Sequence, residues 1–136
     1  MSARAVDDGA WIKPLRHRDA WLALWLLAVA AVVVACLLPS GDLPKLQVSD
    51  KLEHALAFAV LSASAVQLFE RGRALAVVAL GLLALGAGIE VAQGVLTTSR
   101  AMEGADVVAD ATGIVAGVAV AFTPLRDLLL RVAGRA

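Results

Sequence analysis

Three shortages define this sequence: tyrosine is absent, cysteine occurs once, and charged residues fill only 18% of its 136 positions. The lone Cys36 excludes an internal disulfide framework and reads as a packing residue in an apolar run. The shortage of charge accompanies 60% hydrophobic residues, far from the soluble norm of about half apolar and a quarter charged. A formal net charge of zero says little, because in a membrane protein the placement of charge matters; nucleic acid is not an expected partner. No internal repeat, low-complexity linker or Gly-rich phosphate cradle is present, and the length admits one domain.

What the chain does contain is four apolar stretches, at residues 20–38, 51–69, 74–96 and 106–123. The first is uncharged throughout and long enough to cross a hydrocarbon core of roughly 30 Å. Trp21 and Trp25, one turn apart at its start, belong at headgroup level. The third is broken only by Glu90 and Gln93, and Pro124 stops the fourth. The expected fold is therefore all-α, a polytopic membrane protein built as a four-transmembrane-helix bundle. Residues 1–19 form a short polar cytoplasmic segment, 20–123 the membrane domain, and 124–136 a basic tail. That tail either lies on the membrane as a helical stub or continues the fourth helix past a kink.

Basic residues orient the bundle. Arg4, Lys13, Arg16 and Arg18 precede the first span, Arg71 and Arg73 separate the second and third, and Arg126, Arg131 and Arg135 follow the fourth. Only Lys45, Lys51 and Arg100 fall on the other side, so the positive-inside rule puts both termini in the cytoplasm.

In that orientation Asp50, Lys51, Glu53, His54, Glu90, Gln93, Arg100, Glu103, Asp106 and Asp110 all reach the outer part of the membrane. They come from the start of the second helix, the end of the third and the start of the fourth. Some have structural explanations: Asp50-x-x-Glu53 reads as a capping box with Asp50 as the cap, and Asp106 as a cap for the fourth helix. His54, Glu90 and Asp110 lie too deep for that, roughly 6 to 9 Å inside their helix ends. Ionisable groups at such depth face a bundle interior and pair. Asp50/His54 and Asp106/Asp110 are spaced i, i+4, and Glu90/Gln93 i, i+3, so each pair shares a helix face. Gly113-x-x-x-Gly117 extends the face of Asp106 and Asp110 and allows close approach to the second or third helix.

These residues resemble the VanZ-like family of bacterial membrane proteins. The resemblance rests on Asp50-Lys51-x-x-His54-x-x-x-Phe58, then Glu90-x-x-Gln93, then Arg100-x5-Asp106-x3-Asp110-x2-Gly113, in that order over roughly residues 48–118. The family has Asn at the position of Asp110, which adds a titratable group here. The resemblance implies three to five spans in the bacterial cytoplasmic (inner) membrane. It also implies a link to low-level teicoplanin resistance through the founding member, although most relatives have no assigned role.

Three mechanisms fit these residues. The first is binding or modulation of an envelope component, such as a lipid headgroup, a peptidoglycan precursor or a glycopeptide, by Asp50, Lys51, His54, Glu90, Gln93, Arg100, Asp106 and Asp110. The second is a membrane enzyme in which His54, Glu90, Asp106 and Asp110 supply acid–base chemistry, or His54, Glu90 and Asp106 hold a divalent metal. The third is a small transporter, which suffers from the lack of polar residues in the cytoplasmic half beyond Ser62, Ser64 and Gln67. A purely structural tie between three helices stands beside all of these. The excess of acids over Lys51 and Arg100 calls for protonation or a cation. Beyond a divalent metal no cofactor is expected.

Overall fold

Helices account for all the regular structure of the computed structural model, which describes residues 10–38, 49–98 and 102–136. They are α1 (Arg18–Leu37), α2 (Asp50–Leu68), α3 (Arg73–Leu96) and α4 (Gly104–Val118). Two 3-10 turns, Ala119–Phe122 and Pro124–Asp127, then lead into the short α5 (Leu128–Ala133). Three segments are long and apolar enough to cross a membrane: Arg18–Leu37, Arg73–Leu96 and Gly104–Phe122. The second apolar stretch forms the 19-residue α2, long enough at ~1.5 Å per residue but too polar to join those three. Asp50, Lys51, Glu53, His54 and Gln67 lower its hydropathy, and α2 is also the helix that touches all the others.

The closest partnership is between α2 and α4, and glycine makes it possible. A Cβ at Gly113 would strike the Ala55 carbonyl oxygen, and one at Gly117 would meet the Ser62 hydroxyl and the Ala59 carbonyl. With hydrogen in place of methyl, the two backbones touch. The Ser62 hydroxyl is spent on its own helix, donating to the Phe58 carbonyl at 2.8 Å. Phe58, Leu61, Leu82, Ile89 and Ile114 fill the middle of the bundle among α2, α3 and α4.

No residue of α1 is fully buried. It attaches through Trp25, which is half-buried against α2. Its indole N–H donates to the Leu61 carbonyl at 3.0 Å, and its ring meets Phe69 edge-on with centroids 5.4 Å apart. A donor plus a large apolar ring finds one partner on α2 and the other at its C-cap.

At the end of the bundle where α2 stops and α3 begins, the N-terminal segment folds back under the helices. Ile12 bridges to Phe69 and Leu15 to Arg135, and Leu15 is fully buried. Lys13 is buried too, a departure from the expected polar cytoplasmic segment. Its backbone N–H donates to the Leu68 carbonyl at 2.8 Å, and its ammonium donates to the Val66 carbonyl at 2.7 Å. Further bonds reach the Arg126 carbonyl at 2.6 Å and Asp127 Oδ1 at 3.1 Å. Lys13 thereby satisfies carbonyls that the C-terminus of α2 leaves open and places a cation at its negative dipole end. Gln67 pins the tail from the other side, donating to the Leu125 carbonyl and accepting from the Leu129 N–H. The tail is thus a kinked helical stub held against α2.

Candidate functional site

The opposite end of the bundle gathers the polar residues, because α2 and α4 start there and α3 finishes there. Ser49, not Asp50, caps α2, its hydroxyl accepting the Leu52 N–H at 3.2 Å. Asp50 therefore sits in the first turn, where the helix dipole favours a carboxylate. Nor does Asp106 cap α4, which begins at Gly104, and its side chain turns into the bundle instead. One loop residue is held from below: the backbone N–H of Glu103 donates to Glu90 Oε2 at 2.9 Å. Glu90 thus ties the start of α4 to α3 across the gap between them.

His54, Glu90, Gln93, Asp106 and Asp110 are all at least 96% buried. The imidazole of His54 meets Asp110 Oδ1 through Nδ1 at 2.9 Å. This bond joins α2 to α4 directly above the glycine contact, and the Asp110 carboxylate lies over Gly86 of α3. A Cβ at Gly86 would sit 2.5 Å from Asp110 Oδ2, so only glycine leaves room for the carboxylate. Gln93 faces away from this cluster, its amide donating to the Cys36 carbonyl at 2.7 Å and securing the end of α1. Lys51 forms an exposed rim, 2.9 Å from Glu103 Oε2 and 3.9 Å from Asp106 Oδ1. The hydrogen bond and the charge of Lys51 hold the Glu103 carboxyl below its usual range. Arg100, the remaining expected binding residue, lies outside the described residues.

Four buried side-chain atoms in this cluster have no hydrogen-bond partner among the described residues: His54 Nε2, Glu90 Oε1, Asp106 Oδ1 and Asp110 Oδ2. Buried polar atoms are almost always paired, because each unpaired one costs about 1–3 kcal/mol. These four atoms come from three helices, α2, α3 and α4, at the same end of the bundle. Ligand atoms of Asp50, His54 and Asp106 come within 4.8 Å of one another and could hold a metal ion. Glu90, expected among the metal ligands, is not in that trio, and Asp50 takes its place.

The i, i+4 spacing made the Asp50–His54 face legible, but the meeting with Asp106 depends on how closely α2 and α4 pack. Comparison with protein-family models, curated proteins and solved structures found no match.

Proposed function

We propose that this is a VanZ-like protein of the bacterial cytoplasmic membrane whose outward-facing polar cluster binds a component of the cell envelope. In this reading α2 crosses the membrane beside α1, α3 and α4, giving four spans with both termini in the cytoplasm. The ligand is a lipid headgroup, a peptidoglycan precursor or a glycopeptide.

The observation that carries the reading is the set of four unpartnered buried atoms. Polar residues whose only task is to tie elements together find backbone partners, as Gln67 does on the tail and Gln93 on the end of α1. His54, Glu90, Asp106 and Asp110 each retain an unsatisfied atom instead. Such groups are kept at a cost to stability where a ligand completes them. The half-exposed Lys51–Glu103 pair at the rim provides a way in.

The test is native mass spectrometry of the protein released from its own membrane. The wild type should carry an envelope lipid or precursor that Glu90→Gln and Asp106→Asn lose at unchanged yield. Bare wild-type protein, or equal loading of the variants, would refute the reading.

One observation favours a second reading, an enzyme acting on an envelope lipid. Asp110 holds Nδ1 of His54 at 2.9 Å, and this orients Nε2 as an orienting carboxylate does for a general base. Turnover of a labelled envelope lipid, abolished by His54→Gln, would select it.

A further inference from the structure

We propose that Asp50, His54 and Asp106 form a binding site for a divalent transition-metal ion of the zinc or manganese type. The inference deepens the binding reading and rests on the same cluster, since it names the group that would receive the envelope ligand.

Tautomer chemistry comes first. With a carboxylate at Nδ1, a neutral His54 carries its proton there and turns a bare lone pair outward at Nε2. That lone pair is buried in a residue only 3% exposed, and no donor within the described residues meets it. A hydrogen-bond donor or a Lewis acid must face it. The nearby carboxylates favour the Lewis acid, because they are acceptors: Asp106 Oδ1 has no hydrogen-bond partner among the described residues and lies 3.9 Å from the Lys51 ammonium, and the Asp50 carboxylate stands on the same helix face one turn away.

The Asp110–His54 bond is also the outer-partner arrangement that metal-ligating histidines adopt, in which a carboxylate fixes the ring and raises its basicity. The separation of up to 4.8 Å among the three ligand atoms exceeds the ~3.4 Å edge of a tetrahedral zinc site, so the ligands close on the ion by about 1 Å. Asp50 lies at the exposed edge of the trio, while His54 and Asp106 are buried.

One imidazole nitrogen with two carboxylates selects a first-row transition ion over magnesium or calcium, which prefer oxygen alone. Three protein ligands leave a coordination position open, as in sites that take a further group. That vacancy would admit an oxygen of a phosphate-bearing headgroup. The acids alone would repel the same phosphate, and Lys51 is already engaged by Glu103 and, at 3.9 Å, by Asp106.

The experiment is isothermal titration of the purified full chain in detergent with zinc and manganese salts, with magnesium as a control. One ion per chain should bind, with magnesium at least ~10-fold weaker. Asp50→Asn and Asp106→Asn should each weaken binding at least ~10-fold, no less than the loss of an outer partner costs. Asp50→Asn changes an exposed side chain and so cannot be dismissed as misfolded. Asp127→Asn, at the other end of the bundle, should bind like the wild type. Absence of stoichiometric binding, or wild-type binding by both Asp50→Asn and Asp106→Asn, would overturn the proposal. A headgroup retained by metal-free protein that takes up no ion overturns the metal site and leaves the binding reading standing. An ion held by protein that retains no headgroup does the reverse.

Discussion

Replacing Gly113 by alanine should damage the fold and the site together, and the expected size follows from geometry. The new methyl would collide with the Ala55 carbonyl oxygen while lying 2.9 Å from its carbon and 3.0 Å from the Ala59 nitrogen. All three are backbone atoms of α2, so no rotamer change makes room. Restoring ordinary contact requires α4 to retreat by about 1 Å. The His54–Asp110 distance would then grow from 2.9 Å to nearly 4 Å, past the limit of a hydrogen bond. Overpacking of this kind costs about 1–3 kcal/mol, and an unyielding backbone puts Gly113→Ala at the upper end. At ~3–4 °C per kcal/mol for a chain of this size, Tm should fall by about 10 °C. Tryptophan fluorescence in detergent reads the transition, with Trp25 against Phe69 as an internal reporter. Gly81→Ala is the matched control: a Cβ there meets nothing within 4 Å, and the helix gains about 0.5–1 kcal/mol of propensity. If Gly113→Ala melts no lower than Gly81→Ala, the close α2–α4 packing is wrong.

Further predictions concern the two ends of the bundle. Lys13→Met should cost about 2–4 kcal/mol, since it strands the Val66 and Arg126 carbonyls and frees Asp127; limited proteolysis would detect release of the N-terminal segment and the tail. Burial tends to raise the Asp127 carboxyl, but the hydrogen bond and charge of Lys13, helped by Arg126, outweigh it and hold the folded value below 3.8. A depressed folded value means that this contribution is complete above the unfolded pKa and is lost as pH falls below 3.8 through the folded one. Asp127→Asn should therefore flatten the acid side of the stability curve, measured by denaturation from pH 6 to pH 2. Lys51→Ala should leave the thermal midpoint close to that of the wild type, because its pair with Glu103 is exposed to screening solvent.

Much of this organisation was legible from residue spacing. An uncharged run predicts α1, and i, i+4 pairs place Asp50 with His54 and Asp106 with Asp110. Gly113 and Gly117 forecast a close contact, which the structure assigns to α2. Less legible were features that depend on which helix faces which. Lys13 counted only as one of the basic residues ahead of the first span, and nothing local reveals that it reaches carbonyls more than 50 residues away. Trp25 matched an interfacial signature, yet its N–H found a helix carbonyl. The caps differ because Ser49, one residue earlier, accepts the Leu52 N–H, while the Asp106 side chain is buried in the bundle near His54. Gln93 resembled a member of the cluster by its i, i+3 spacing from Glu90 but serves α1 instead.

His54, Glu90 and Asp110 each tie helices through one polar atom, and together with Asp106 each keeps a second atom without a hydrogen-bond partner for the proposed ligand. The unfolding midpoint of the ligand-free Glu90→Gln, Asp106→Asn double variant tests this most directly. Both changes keep side-chain shape, and Gln retains an oxygen for the Glu103 N–H. If the carboxylates are unsatisfied site groups, neutralising them should leave the midpoint unchanged or raise it. A destabilisation of about 3 kcal/mol or more, as expected on breaking a buried structural ion pair, would contradict the account.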